Sequence, residues 1–205
     1  MSALRILVVE DEGLVATGLR AQLKSLGHQV VGLARDGEEA VAMAAALAPD
    51  LILMDIRLPR LGGLEATRRI LQQRRVPVIF ISAYSEANLA QEASAIGGFA
   101  YLLKPVDRQD LLPAIAVALG RFREAEGLRQ GVQELEQALE LRKQVEQAKG
   151  ILMKRLQIAE SEAMHRLQQR SRKTRKPLGE VVAEVIAADT FFAGWDQERK
   201  DTHSA

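Results

Sequence analysis

The chain has 205 residues, 47% of them hydrophobic and 27% charged, with a formal net charge of +1. That length fits one large domain or two small ones with a real core. The absence of cysteine excludes a disulfide framework, a thiol nucleophile and a cysteine-ligated zinc site. His28, His165 and His203 stand too far apart in sequence for metal-ligand spacing. No apolar run approaches membrane-spanning length and the first residues lack a signal-peptide core, so the expected location is cytoplasmic, with no membrane partner. Residues 1–120 hold 12 Lys+Arg and 13 Asp+Glu, and residues 121–205 hold 16 and 14. The contrast is small, but the basic residues of the second part are clustered.

In chain order, Leu4–Val9 predicts a buried strand that ends on Glu10-Asp11-Glu12. Leu14, Leu19, Leu23 and Leu26 predict a helix, closed by Gly27. A short strand over Gln29–Ala34 follows, then a turn at Asp36-Gly37 and an alanine-rich helix over Glu38–Leu47. Leu51–Asp55 is an apolar run ending on one carboxylate, and Pro59 stops any ladder beyond it. A helix over Leu64–Gln73, a strand over Val76–Ile81, a helix over Glu86–Ala95, a strand over Phe99–Leu103 and a helix over Asp107–Gly120 complete the series. Five strand–helix repeats imply α/β architecture, a parallel sheet covered on both faces. The repeats do not fix the strand order; a flavodoxin-like 2-1-3-4-5 order is the one expected at this size.

After Gly120 the strand signals vanish. Arg121–Gln147 reads as a charged helix in which Leu128, Val132, Leu135 and Leu139 are spaced 4, 3 and 4, the seam of a homodimer through a coiled coil of only about two heptads, or else of a single helix lying on the first domain. Leu141, Val145, Ala148 and Leu152 continue on a rotated stripe, which suits packing against later helices of the same chain. Helices over Ser161–Arg172 and from Pro177 to about Ala188 then make a small three-helix bundle, with Gly150 allowing close helix packing and the end of the chain frayed. The expected boundaries are 1–120, a helical linker at 121–141, a bundle at 142–190 and a tail at 191–205.

In an open α/β sheet the strand carboxyl ends share one rim, where ligands and chemistry collect. Here that rim would carry Glu10, Asp11, Asp55, Ser82 and Lys104. Crowded carboxylates repel unless a cation sits among them, and Mg²⁺ suits oxygen ligands. Carboxylate, metal, lysine and hydroxyl together suit phosphoryl transfer to Asp55. The segments Val8-Val9-Glu10-Asp11, Met54–Pro59, Ile81-Ser82-Ala83 and Tyr101–Pro105 resemble the signature segments of the receiver domain of two-component response regulators. The resemblance implies a phosphoacceptor Asp55, Mg²⁺ held by Glu10, Asp11, Asp55 and the Arg57 carbonyl, an essential Lys104, a switch pair Ser82 and Tyr101, and a sensor histidine kinase as phosphodonor. Gly62-Gly63 departs from the Asp-Gly common in the family, at a position expected to be a surface loop.

The second part carries Arg142, Lys143, Lys149, Lys154 and Arg155, then Arg166, Arg170, Arg172, Lys173, Arg175 and Lys176 with no acid among the last six. Such clusters are the footprint of a phosphate-backbone partner, or else a solvated face with a basic helix end. Arg142–Met153, with its Ala-Lys-Gly-Ile-Leu-Met run, together with Ser161–Leu167 and Leu178–Ile186, resembles an ANTAR domain. That resemblance implies binding of paired RNA hairpins and transcription antitermination, with Arg142, Lys149, Lys154, Arg166, Arg170, Arg172, Lys173 and Lys176 as candidate contacts. Ala159 and Met164 depart from the residues usual at their places. A phosphorylation-controlled DNA-binding factor and a protein-interaction module are the alternatives. Independent substrate turnover is not expected, since the receiver acts only on its own phosphoryl group.

Overall fold

The computed structural model describes residues 3–83, 92 and 96–202, the last eleven of them by backbone alone. Five strands, β1 (Arg5–Val9), β2 (Gln29–Ala34), β3 (Leu51–Asp55), β4 (Val78–Ser82) and β5 (Gly98–Leu103), pair in parallel in the order β2-β1-β3-β4-β5. This is the expected topology. β4 begins two residues later than the sequence suggests, because Pro77 has no N–H to give a ladder and contributes only its carbonyl, to Ile52 N at 3.0 Å.

The central strands β3 and β4 are buried at every position, as continuous apolar runs require. Alternation along β1, β3 and β4 divides their side chains between two cores. Leu7, Val9, Ile52, Met54, Val78 and Phe80 face α2 (Gly37–Leu47) and α3 (Gly63–Gln73), which offer Ala40, Ala44, Ala66 and Ile70. On the other side Ile6, Val8, Leu51, Leu53, Ile79 and Ile81 meet Leu19 and Leu23 of α1 (Gly13–Ser25) and Leu111, Ile115 and Ala118 of α4 (Arg108–Leu156). The helix expected over Glu86–Ala95 lies outside the described residues, apart from Glu92.

α4 runs unbroken over Arg108–Leu156. It replaces two expected elements, a helix ending at Gly120 and a separate linker helix. Gly120, Gly127 and Gly131 sit inside it with open space where a Cβ would be. Each glycine costs about 1 kcal/mol relative to alanine, which is too little to end a helix. The chain divides into two compact units, residues 1–127 and 128–205.

In the second unit the C-terminal part of α4 packs with α5 (Glu160–Thr174) and α6 (Leu178–Thr202). Their core is Ala148, Leu167, Val181 and Val182, flanked by Val145, Leu152, Val185 and Ile186. The stripe Val145, Ala148, Leu152 is thus used within the chain, as its spacing implied. Leu128, Val132, Leu135 and Leu139 remain 54–74% exposed. Two expectations are corrected here. α6 continues to Thr202 where an end near Ala188 was expected, because the stretch beyond Ala188 holds no proline and a single glycine. Gly150 is exposed with nothing within 4 Å of a Cβ position, so close helix packing is not its role.

Candidate functional site: an acidic rim and a basic bundle

Parallel pairing places the chemistry-bearing residues side by side. Asp55 ends β3 in register with Ile81, one residue before Ser82. Ser82 ends β4 in register with Leu103, one residue before Lys104, and its carbonyl accepts the Lys104 N–H at 2.8 Å. Glu10 follows β1, and its N–H donates to Ala34 O at 2.9 Å. Residues far apart in sequence reach one rim because each stands at, or just past, the end of its strand.

Lys104 lies at the centre. Its Nζ donates to Asp55 Oδ2 at 2.6 Å and to Glu10 Oε1 at 2.8 Å. The other Asp55 oxygen accepts the Arg57 N–H at 3.0 Å. Burial alone would lower the Lys104 pKa, but its bonds to the two carboxylates outweigh that and hold the ammonium above the ordinary lysine value. Glu10 is 1% exposed, and this burial raises its carboxyl above the usual range despite the lysine. Its Oε2 is buried with no hydrogen-bond partner among the described residues.

Glu10, Asp11 and Asp55 each offer a carboxylate oxygen, all within 4.8 Å of one another. Three carboxylates against one ammonium leave a formal charge of 3 − 1 = 2 negative, the charge a divalent cation cancels. The unpartnered Glu10 oxygen and an all-oxygen donor set fit Mg²⁺. Asp11 and Arg57 are exposed and Ser82 is buried. Tyr101 is partly buried against the core that contains Met54 and Phe80.

Two features of this rim escaped the sequence. Gly63 is buried, where a surface loop was expected, and a Cβ there would stand 1.9 Å from the Asp55 carbonyl oxygen. Asp36 caps α2 through Glu38 and Glu39 N–H, both at 2.9 Å, and pairs with Arg60 of the loop after β3. The glycine pair was visible in the sequence, but the atom it must avoid was not.

In the bundle, Arg142, Lys154, Arg166, Arg170, Arg172, Lys173 and Lys176 are all exposed. Arg166 pairs with Glu162 at 2.9 Å and Lys176 with Glu184, while Arg170, Arg172 and Lys173 have no carboxylate partner among the described residues. Lys149 differs from the rest. It is 8% exposed and donates to Glu146 at 2.8 Å and Glu160 at 2.6 Å, bracing α4 against the start of α5. Those bonds, Glu146 first, hold its ammonium above the ordinary value. α5 starts after Ala159 with no side-chain cap, and neither Ser161 nor any other hydroxyl supplies one. Among the described residues no helix is long and apolar enough to cross a membrane.

Comparison with known proteins agrees with both halves. Residues 6–116 match the response regulator receiver domain and residues 133–186 match the ANTAR domain. The second match begins nine residues before the boundary expected at 142. The transcriptional regulatory protein PdtaR of Mycobacterium tuberculosis is 40% identical over 185 residues, covering 89% of this chain and 90% of that one. The response regulator GacA of Pseudomonas aeruginosa is 36% identical over 114 residues, 55% of this chain and 53% of that one. Among solved structures, the signal receiver domain of a modulated diguanylate cyclase from Desulfovibrio desulfuricans is 38% identical with a TM-score of 0.56, covering 60% of this chain and 99% of that one. Receiver and ANTAR domains are regulatory families: the first binds Mg²⁺ at an acidic pocket and implies a phosphodonor kinase, and the second implies RNA binding. The rim geometry, the bundle and these matches lead to one assignment: the chain belongs to the response regulators in which a receiver domain is followed by an ANTAR domain.

Proposed function

We propose that a sensor histidine kinase phosphorylates Asp55 and that this controls RNA-hairpin binding and transcription antitermination by the ANTAR bundle. The observation that carries the first half is the Lys104 ammonium bound to both Asp55 and Glu10 beside an unpartnered carboxylate oxygen. An Asp55 oxygen attacks phosphorus, an O–P bond forms and the N–P bond of the donor phosphohistidine breaks. The electron pair returns to the donor imidazole. Glu10, Asp11, Asp55 and the Arg57 carbonyl would hold Mg²⁺, which neutralises charge on the transferring group. Lys104 keeps its charge throughout and is placed to follow the phosphoryl oxygens. Ser82, at the end of the neighbouring strand, supplies a hydroxyl to a phosphoryl oxygen, and Tyr101 turns toward the space this vacates.

The second half rests on the exposed cations of the bundle and on the exposed seam Leu128, Val132, Leu135 and Leu139. A dimer through that seam presents two bundles to two hairpins, and tethering raises the effective concentration of the second bundle. Arg142, Lys154, Arg166, Arg170, Arg172, Lys173 and Lys176 are the RNA contacts in this reading. Lys149 is omitted because its ammonium is already committed to two carboxylates.

The test uses Asp55→Asn. Wild-type protein incubated with acetyl phosphate and Mg²⁺ forms an acid-stable, alkali-labile phosphoprotein, and the variant forms none. Beryllofluoride with Mg²⁺ raises both the mass in solution and the affinity for a two-hairpin RNA. A variant that still takes up label refutes Asp55 as acceptor, and unchanged mass and affinity refute the coupling.

A further inference from the structure

His28 joins α1 to the edge strand β2, at the end of the sheet opposite Glu10 and Asp55. A strand's length, about 15 Å, separates the two ends. The ring is 7% exposed. Its Nδ1 accepts the Leu4 N–H at 3.3 Å, so that nitrogen carries no proton. Burial lowers the imidazole pKa, which favours the neutral form. The proton of a neutral ring then sits on Nε2, and this atom is buried with no partner among the described residues. A buried donor without an acceptor is a cost, and nothing in the acceptor chemistry of the phosphorylation rim accounts for it.

The same ring lines a cavity of about 540 Å³ between α1 and β2. Thr17, Arg20 and Lys24 line it from one face of α1, at helical spacings of three and four, and Gln29 lines it from β2. No carboxylate lines it. Arg20 and Lys24 have no carboxylate partner among the described residues, although like charges four apart on a helix repel. Two cations and a neutral N–H donor therefore share a cavity that supplies no anion.

We infer that this cavity is a second binding site, which takes the phosphate group of a small phosphomonoester on His28 Nε2, Arg20 and Lys24. The charge count selects the charge of the ligand. Two positive charges with a neutral donor suit a dianion, whereas a carboxylate brings only one charge. Nε2 is closed to bulk water, so the side chains that cover it must shift to admit the phosphate oxygen. Ala21 and Val30 complete the lining with apolar surface for the rest of the ligand.

The test uses the full chain, whose three histidines give separable ring signals after ¹⁵N-histidine labelling. Glycerol phosphate is titrated without Mg²⁺, with acetate at matched ionic strength as the control. The His28 Nε2 signal should move saturably with glycerol phosphate and stay in place with acetate. Arg20→Gln combined with Lys24→Gln alters only exposed side chains and should weaken the response about tenfold or more. An unmoved His28 signal, an equal response to acetate, or an undiminished response in the double variant overturns the site.

Discussion

The receiver and the bundle handle charge in opposite ways. In the receiver the important charges are few, buried and bound to one another: Lys104 touches both Asp55 and Glu10, and Glu10 is 1% exposed. In the bundle they are many and exposed, and Arg170, Arg172 and Lys173 pair with no described carboxylate. A buried set is sensitive to displacements of a fraction of an ångström, because field and desolvation both change steeply there. An exposed set tolerates rearrangement and acts through its sum, screened by salt. The first arrangement suits a chemical step at one atom, and the second suits a polyanion.

The sharpest way to break this contrast is Gly63→Ala. The added Cβ meets the Asp55 carbonyl oxygen at 1.9 Å, so either α3 or the phosphoacceptor strand end must move. The expected cost is about 3 kcal/mol of receiver stability, read by urea denaturation. Wild-type stability together with full acetyl-phosphate labelling would show that the rim is less tightly built than its contacts imply. In the bundle, Arg170→Gln with Lys173→Gln should weaken RNA binding about tenfold and flatten its salt dependence by about two phosphate contacts, measured by anisotropy across a salt series. Equal loss at every salt concentration would contradict a summed electrostatic interface.

A smaller effect concerns pH. The raised Glu10 pKa means the folded receiver holds that proton more tightly than the unfolded chain does. Ionised Glu10 is therefore a liability in the apo fold, felt above its raised pKa and relieved on acidification. Mg²⁺ affinity runs the other way. It should fall with pH starting above the ordinary glutamate value of 4.5, in a titration of metal binding against pH. Glu10→Gln should remove that dependence. The smallest effect is Gly150→Ala, which fills open space on an exposed helix surface and should stabilise the bundle by about 1 kcal/mol. Loss of RNA binding with that gain in stability would mark the glycine as a place where RNA comes close to the helix backbone.

The same contrast explains what could be read in advance. Asp55, Ser82 and Lys104 were legible because strands end on them, and parallel strands bring their ends to one rim whatever lies between. The two-sided core followed from apolar runs, whereas the strand order is set by contacts between distant segments and becomes visible only in the folded sheet. Helix surfaces give no such convergence. Lys149 flanks the packed stripe of α4, four residues after Val145 and three before Leu152, but its commitment to two carboxylates depends on where Glu160 arrives after a turn. Gly63 was visible as a chain break, but its contact with the Asp55 carbonyl needs three dimensions. The fusion of α4 across Gly120 is not legible because a glycine after an apolar helix face reads as a stop, although a single glycine weakens a helix only slightly.

That unbroken helix has a consequence for anyone dissecting the protein. Leu111 and Ile115 near one end belong to the receiver core, and Ala148 near the other belongs to the bundle core. Scission between them cuts through a continuous hydrogen-bond ladder and leaves raw helix ends on both fragments, with four carbonyls orphaned on one and four amides on the other. A protease that samples fraying should find its first foothold at Gly120, Gly127 or Gly131, where the ladder is thinnest in side-chain support.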